Sequence, residues 1–203
     1  MDVEALRELG WKNDFDQQLS AADVSDCMVV RVGAHFGSQV LCLRPGEEFS
    51  LPINQIARCG DVAMGDWLLL EADTRRGVRC LERTSLVARK AAGEKVKTQL
   101  IAANLDTLFV VASCNHDFNP SRLERYLALA SEANVNTVVL LTKSDLCDDP
   151  AALQQQAARL KQGLVVETVD AREPTQVAPL ADWCGKGQTV ALVGSSGVGK
   201  STL

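Results

Sequence analysis

Gly-Ser-Ser-Gly-Val-Gly-Lys-Ser at residues 194–201 decides how the rest of the chain is interpreted. It follows a short apolar run, Thr189 to Val193, whose β-branched residues predict a buried strand. A strand followed by Gly-x-x-x-x-Gly-Lys-Ser is the pattern of a phosphate-binding loop. Glycines allow backbone N–H groups to approach a phosphate without a side chain between them.

Each residue type in this loop suits nucleotide phosphates. Lys200 brings a compact positive charge to the β- and γ-phosphates, and Ser201 offers its hydroxyl to a Mg²⁺ ion that bridges them. A helix expected from about Gly199 would place its positive end beneath the anion. The alternative is a glycine turn beside a lysine that faces water. The predicted phosphate contacts are Gly194, Ser195, Ser196, Gly197, Val198, Gly199, Lys200, Ser201 and Thr202, with Lys200 and Ser201 as catalytic groups.

A second polar cluster, Thr142-Lys143-Ser144-Asp145, follows the apolar run from Thr137 to Leu141. The Asp145 carboxylate could accept hydrogen bonds from N1–H and the 2-amino group of guanine. Adenine lacks that amino group, so discrimination of order 10⁴ or more is expected. Lys143 could lay its aliphatic stem over the base. Taken alone, the pattern could also be a helix-capping aspartate beside a surface lysine.

A third candidate contact ends the strand predicted at Leu164–Val169. The backbone N–H of Ala171 could reach guanine O6, although an ordinary strand exit fits this stretch equally well. The order is unusual, because the predicted base-reading loop precedes the phosphate loop. Both loops would lie at the carboxyl edge of one parallel sheet, so a permuted chain can build the same site.

The organisation of residues 100–203 is a regular alternation of strands and helices, which predicts a parallel α/β sheet. Residues 27–83 instead contain five short β-rich runs separated by turn residues, typical of a small Greek-key barrel such as an OB-fold. Residues 1–26 predict an acidic arm, either a short helix or a solvated tail. Residues 84–99 predict a basic linker, either a solvated hinge or a strip that contacts phosphates. The expected strands of the α/β domain are Leu108–Ala112, Thr137–Leu141, Leu164–Val169 and Thr189–Val193.

Composition is that of an ordinary globular protein, with 46% hydrophobic residues and a net charge of −5. Residues 1–26 hold seven acidic and two basic residues, which accounts for that whole charge. No apolar run is long enough to span a bilayer, so a cytoplasmic protein without a membrane partner is expected. The seven cysteines are at least fifteen positions apart, which excludes a Cys-x-x-Cys metal knuckle and favours reduced core thiols.

Taken together, residues 27–203 resemble the circularly permuted GTPases of the RsgA/YjeQ family, which depend on the small ribosomal subunit. The resemblance rests on the barrel, the basic linker and several motifs. These motifs are residues 101–106, Phe118-Asn119, Arg125-Tyr126-Leu127, residues 142–145 and residues 197–201. It implies GTP or GDP with Mg²⁺ as ligands, a GTPase stimulated by the 30S subunit, and a monomer acting in its late maturation. It also implies contact with 16S rRNA through the OB-fold.

The chain departs from the family pattern at three places. Thr142 replaces the usual Asn, which bears on nucleotide affinity more than on guanine preference, and Asp170 replaces the usual Ser. The sequence ends at Leu203, before the family's switch segments and its zinc-binding domain, so Zn²⁺ is expected only beyond this point. We therefore expect little or no hydrolysis by this polypeptide alone.

Two other functions fit parts of the sequence. One is a P-loop ATPase or small-molecule kinase, which would not distinguish guanine from adenine in the predicted way. The other is a non-enzymatic RNA-binding module in which the barrel is the active part and Lys200 is dispensable.

Overall fold

The computed structural model describes residues 2–90, 98–115 and 118–203. It divides into two units, one of Met1–Leu105 with Lys186–Thr189 and one of Asp106–Gly185 with Val190–Leu203. The first unit is built around an antiparallel sheet and the second around a parallel sheet. This is the predicted combination of an all-β barrel and an α/β domain. The exact domain limits at residues 26, 83 and 99 remain predictions.

The first sheet contains the five strands expected from the β-rich runs of the sequence. Its order is β3-β2-β1-β4-β5, and all its neighbouring strands are antiparallel. A three-strand meander whose first strand also pairs with β4 is the connectivity of an OB-fold. Among the described residues no ladder joins β3 to β5, so the barrel is open there. The strands are β1 (Cys27–Phe36), β2 (Gln39–Arg44), β3 (Glu47–Pro52), β4 (Trp67–Glu71) and β5 (Gly77–Cys80).

The N-terminal segment agrees with the helical alternative of the sequence analysis and not with a solvated tail. It forms three short helices, α1 (Val3–Glu8), α2 (Asn13–Asp16) and α3 (Ala21–Asp26). Trp11 and Phe15 are buried against Trp67 of β4, with the Trp11 and Trp67 rings 4.8 Å apart and nearly perpendicular. The charged residues gave the segment its polar appearance, but these two aromatic side chains fix it to the sheet.

The predicted linker is also corrected where the structure describes it. Strands β6 (Leu86–Lys90) and β7 (Thr98–Ala103) pair antiparallel and belong to the first unit. Residues 91–97, which carry part of the predicted basic strip, lie outside the described residues. Just before β6, the Arg83 guanidinium donates two hydrogen bonds of 2.7 Å to the buried Asp66 carboxylate.

The second unit is the predicted parallel sheet, in the order β10-β9-β8-β11. Strands β8 and β9 lie in its centre and are nearly continuous apolar runs, as expected for strands covered on both faces. The strands are β8 (Thr107–Ser113), β9 (Asn136–Thr142), β10 (Val165–Val169) and β11 (Val190–Gly194). The helices are α4 (Pro120–Glu132), α5 (Pro150–Ala158) and α6 (Pro174–Val177).

Capping residues set where the two longer helices begin. The Asn119 side chain accepts a hydrogen bond from the Arg122 N–H, and the Asp149 side chain accepts one from the Ala152 N–H, both at 3.0 Å. A proline follows each cap, where its fixed φ angle suits the first turn of a helix. The shorter helix α6 ends at Val177, and Ala178–Trp183 continues from it as a 3₁₀ helix.

In the described part of the chain, no helix has the length and apolar character needed to cross a bilayer. All seven cysteines are free thiols. Burial raises the pKa of Cys42 and Cys114 to about 11, so both thiols remain protonated at neutral pH.

Candidate nucleotide-binding site

The glycine-rich loop leaves the carboxyl end of β11 in a conformation that its glycines make possible. Gly197 and Gly199 have φ angles of +79° and +91°, which residues with a Cβ rarely adopt. At Gly197 the space beside the backbone is open. Within the described residues, none of the backbone N–H groups at positions 196–201 forms a hydrogen bond of normal geometry. A run of N–H groups without well-formed hydrogen bonds fits an anion such as a nucleotide phosphate.

The cationic and hydroxyl groups of the loop also fit phosphates and Mg²⁺. Lys200 Nζ donates hydrogen bonds to the carbonyl oxygens of Gly194 at 3.0 Å and Ser195 at 2.7 Å, so its charge lies inside the loop. Ser201 is exposed, and its hydroxyl could join a magnesium coordination shell. Where the sequence predicted a helix from about Gly199, the structure has turns. The Thr202 N–H donates to the Gly199 carbonyl at 3.1 Å.

The predicted base-reading loop lies directly beside the phosphate loop. Lys143, in a left-handed conformation with φ of +58°, donates from Nζ to the Gly197 carbonyl at 2.8 Å. The fully buried Thr142 hydroxyl lies 2.6 Å from the Val198 carbonyl and 3.2 Å from the Ala112 carbonyl. Because it has one proton, it donates to the nearer carbonyl. The prediction that both loops share one edge of the sheet is therefore confirmed.

Asp145 lies in a short 3₁₀ helix, Ser144–Leu146, just after Lys143. Its side chain caps no backbone group in the described chain, unlike the capping alternative considered for this motif. Instead its Oδ2 accepts a hydrogen bond of 2.6 Å from Nη2 of Arg172. This brings the loop after β10 to the same edge of the sheet as the loops after β9 and β11.

Arg172 was not recognised in the sequence, although it connects two of the loops. It forms a bidentate pair with Asp170, from Nε to Oδ1 at 3.0 Å and from Nη2 to Oδ2 at 2.9 Å. Hydrogen bonds from the Arg172 side chain and backbone hold the pKa of Asp170 below its usual value. The pairing with Asp170 and the charge of Asp145 raise the pKa of Arg172 above its usual value. The sequence feature that could have indicated this residue is its position two residues after Asp170, which follows the last residue of β10.

Ala171 lies between these two paired residues. Its backbone N–H forms no hydrogen bond with another described residue, so the predicted contact with a guanine oxygen is geometrically open. Ser144 is partly exposed, and no hydrogen bond of its side chain to another described residue is seen. The predicted residues of all three loops thus occur at one edge, and their individual roles remain predictions.

A family model described as RsgA GTPase matches residues 80–203. The chain belongs to this family. The small ribosomal subunit biogenesis GTPase RsgA 2 of Vibrio parahaemolyticus is 48% identical over 198 residues, which are 98% of this chain and 54% of that protein. The corresponding RsgA of Mesorhizobium japonicum is 46% identical over 98% of this chain and 57% of its own length. The chain thus spans about half the length of the curated relatives it matches.

Two solved structures share the fold of this RsgA-family chain. YjeQ from Thermotoga maritima superposes with a TM-score of 0.64, 19% identity and coverage of 87% of this chain and 63% of that one. YloQ, described as a circularly permuted GTPase, gives a TM-score of 0.62 with 20% identity over 88% of this chain and 63% of the other. At such identities the likeness concerns the fold, and it agrees with the permuted loop order inferred from the sequence.

Proposed function

We propose that this chain binds a guanine nucleotide between the loops that follow β9 and β11. The observation that carries the proposal is the hydrogen bond of 2.8 Å from Lys143 Nζ to the Gly197 carbonyl. It joins the base-reading loop to the middle of the phosphate loop, so one small ligand can contact both. In parallel α/β sheets such ligands bind at the carboxyl ends of the strands.

The phosphate end of the site would be held by the backbone and by Lys200. The N–H groups at positions 196–201, which form no hydrogen bond of normal geometry with described residues, would donate to phosphate oxygens. Lys200, whose Nζ bonds to two loop carbonyls, would exchange these neutral acceptors for phosphate oxygens, which form stronger charge-assisted hydrogen bonds. Ser201 would contribute one oxygen ligand to Mg²⁺, which supplies the charge neutralisation that phosphoryl transfer requires.

The base end of the site would select guanine through Asp145. Its two carboxylate oxygens would accept hydrogen bonds from guanine N1–H and the 2-amino group, while the Ala171 N–H would donate to O6. The same carboxylate would face an unpaired acceptor at N1 of adenine, which makes adenine nucleotides poor ligands. This is the property that separates the proposal from a P-loop ATPase or kinase.

Displacement of a fluorescent GDP analogue from the 203-residue chain tests the base assignment. GDP and GTP should compete about 10⁴-fold better than ADP and ATP, since a hydrogen-bonding site rejects analogues that leave its polar groups unpaired. Asp145→Asn should weaken GDP by a similar order and improve xanthosine diphosphate, whose 2-oxo group accepts from the new amide. Asp148→Asn removes an exposed carboxylate of the same loop and should change neither affinity. Equal competition by ATP and GTP would refute guanine recognition.

The same proposal extends to the biological role. The relatives from Vibrio and Mesorhizobium are named small ribosomal subunit biogenesis GTPases. We infer that the protein containing this chain hydrolyses GTP and acts on the 30S subunit, with the first unit contacting 16S rRNA. The OB-type connectivity of that unit supports the RNA contact, because OB-folds commonly bind nucleic acid.

A further inference from the structure

The loops after β9 and β10 meet in a three-residue ion cluster formed by Asp145, Asp170 and Arg172. One guanidinium nitrogen, Nη2, donates to Oδ2 of both carboxylates, at 2.6 Å and 2.9 Å. The second contact with Asp170, from Nε, fixes the plane of the guanidinium group. Arg172 is thereby anchored on its own loop and reaches across to the neighbouring loop.

The exposure of the three side chains suggests a role other than stability. The Asp170 side chain is 11% exposed and Asp145 26%, whereas Arg172 is 66% exposed. Ion pairs this accessible to water contribute little to folding free energy. The cluster also carries a net charge of −1, which leaves the Asp145 carboxylate short of full neutralisation and able to accept further hydrogen bonds.

We propose that Arg172 is a positioning residue for guanine recognition, which holds the Asp145 carboxylate in the orientation that reads the base. A carboxylate has about four acceptor sites, so Oδ2 can accept from Arg172 and still accept from the base. Oδ1 of Asp145 is not engaged by any described residue and remains available for the second base hydrogen bond. Asp170, which stands where the family usually has Ser, serves as the anchor for Arg172.

This inference rests on the proposed guanine site, so it predicts an effect on one class of ligand. Without Arg172, Asp145 must lose rotamer freedom when the base binds, and its charge is opposed by Asp170 nearby. Arg172→Ala should therefore weaken GDP about tenfold, the scale of one charge-assisted hydrogen bond. Adenine nucleotides, which gain nothing from Asp145, should keep their weak affinity. The ratio of GDP to ADP affinity should fall by the same tenfold.

Three variants separate positioning from a general effect on the fold. Arg172→Lys retains the charge but cannot hold Asp170 with two parallel hydrogen bonds, so it should recover part of the lost GDP affinity. In an Asp145→Asn background, Arg172→Ala should have no further effect on GDP, because Arg172 acts through the carboxylate. Arg159→Ala, which removes an exposed arginine after α5, is the matched control and should bind GDP like the parent chain.

The measurements are dissociation constants for GDP and ADP by fluorescence displacement, with thermal unfolding of each variant as the check on folding. If Asp145→Asn leaves GDP binding unchanged, the guanine site itself is wrong. If Asp145→Asn weakens GDP but Arg172→Ala does not, the guanine site stands and the positioning role is overturned. Tighter GDP binding by Arg172→Ala would also overturn it, because Arg172 would then be a competitor for the carboxylate. Equal losses for GDP and ADP would show a general structural effect.

Discussion

The buried Thr142 side chain connects the loop after β9 to the phosphate loop after β11. It ends β9, is fully buried, and donates its hydroxyl to the Val198 carbonyl of the phosphate loop at 2.6 Å. The sequence showed only that Thr142 stands in place of the family's Asn, which suggested weaker contact with the nucleotide. The structure indicates a different use, because this hydroxyl sets the position of the phosphate loop relative to Lys143.

Replacing Thr142 by Val tests this role, because it keeps the shape of the side chain and removes the donor. The buried Val198 carbonyl would lose its partner, which should lower the free energy of unfolding by about 1–3 kcal/mol. The phosphate loop would also lose a tether, so the dissociation constant for GDP should rise. Urea unfolding and fluorescence displacement measure the two effects.

Thr137→Val provides a control at the opposite end of the same strand. Its hydroxyl donates to the Val135 carbonyl at 3.3 Å, away from either ligand loop. This variant should bind GDP normally. If both threonine variants bind GDP as the parent chain does, the tether has no role in the site.

Among individual residues, the sequence identified those whose chemical role requires a fixed spacing along the chain. The phosphate loop was predictable because its backbone conformation requires glycines at set positions, and Asp145 because it follows the end of a buried strand by three residues. Arg172 was not predictable, since its contact with Asp145 spans 27 positions and depends on how two loops meet at the sheet edge. Such a contact leaves no periodic pattern in the sequence.

The N-terminal helices show that whole elements, too, can depend on contacts that leave no local pattern in the sequence. Short helices below three turns are marginal alone, so their stability comes from packing rather than propensity. Here the packing comes from Trp11 and Phe15, which lie against Trp67 together with Leu6 of α1. Trp11 also donates from its indole nitrogen to Asp16 at 2.7 Å. The longer strands and helices of the second unit were predicted more closely, since their apolar periodicity and caps are local signals.

Trp11→Ala should therefore destabilise the first unit. Removing a buried tryptophan costs about 3–5 kcal/mol, through lost burial and the cavity that remains. We expect a lower urea midpoint by circular dichroism and a red-shifted emission from the remaining tryptophans. Val24→Ala in α3 is the control, because Val24 is 48% exposed and its loss should be nearly neutral. Unchanged stability of Trp11→Ala would support the solvated arm instead.

For the molecule as a whole, the charge distribution bears on the proposed binding to the small ribosomal subunit. The net charge of −5 arises within residues 1–26, so the remainder of the chain is neutral overall. RNA binding would then depend on local groups of cations rather than on net charge. On the first unit, Arg58 and Arg76 are exposed and border a polar cleft of about 800 Å³, together with Asn54 and Gln55.

If this cleft contacts rRNA, reversing its charge should weaken association with the small subunit. The parent chain should co-sediment with purified 30S subunits, with an affinity that falls as salt rises, because each neutralised phosphate releases counterions. Arg58→Glu with Arg76→Glu should reduce the affinity by about tenfold or more at moderate salt and flatten the salt dependence. Arg159→Glu with Lys161→Glu changes the net charge equally through exposed residues of the second unit, and serves as the control. Equal losses for the two double variants would mean that only net charge matters, and unchanged binding by both would place the contact elsewhere.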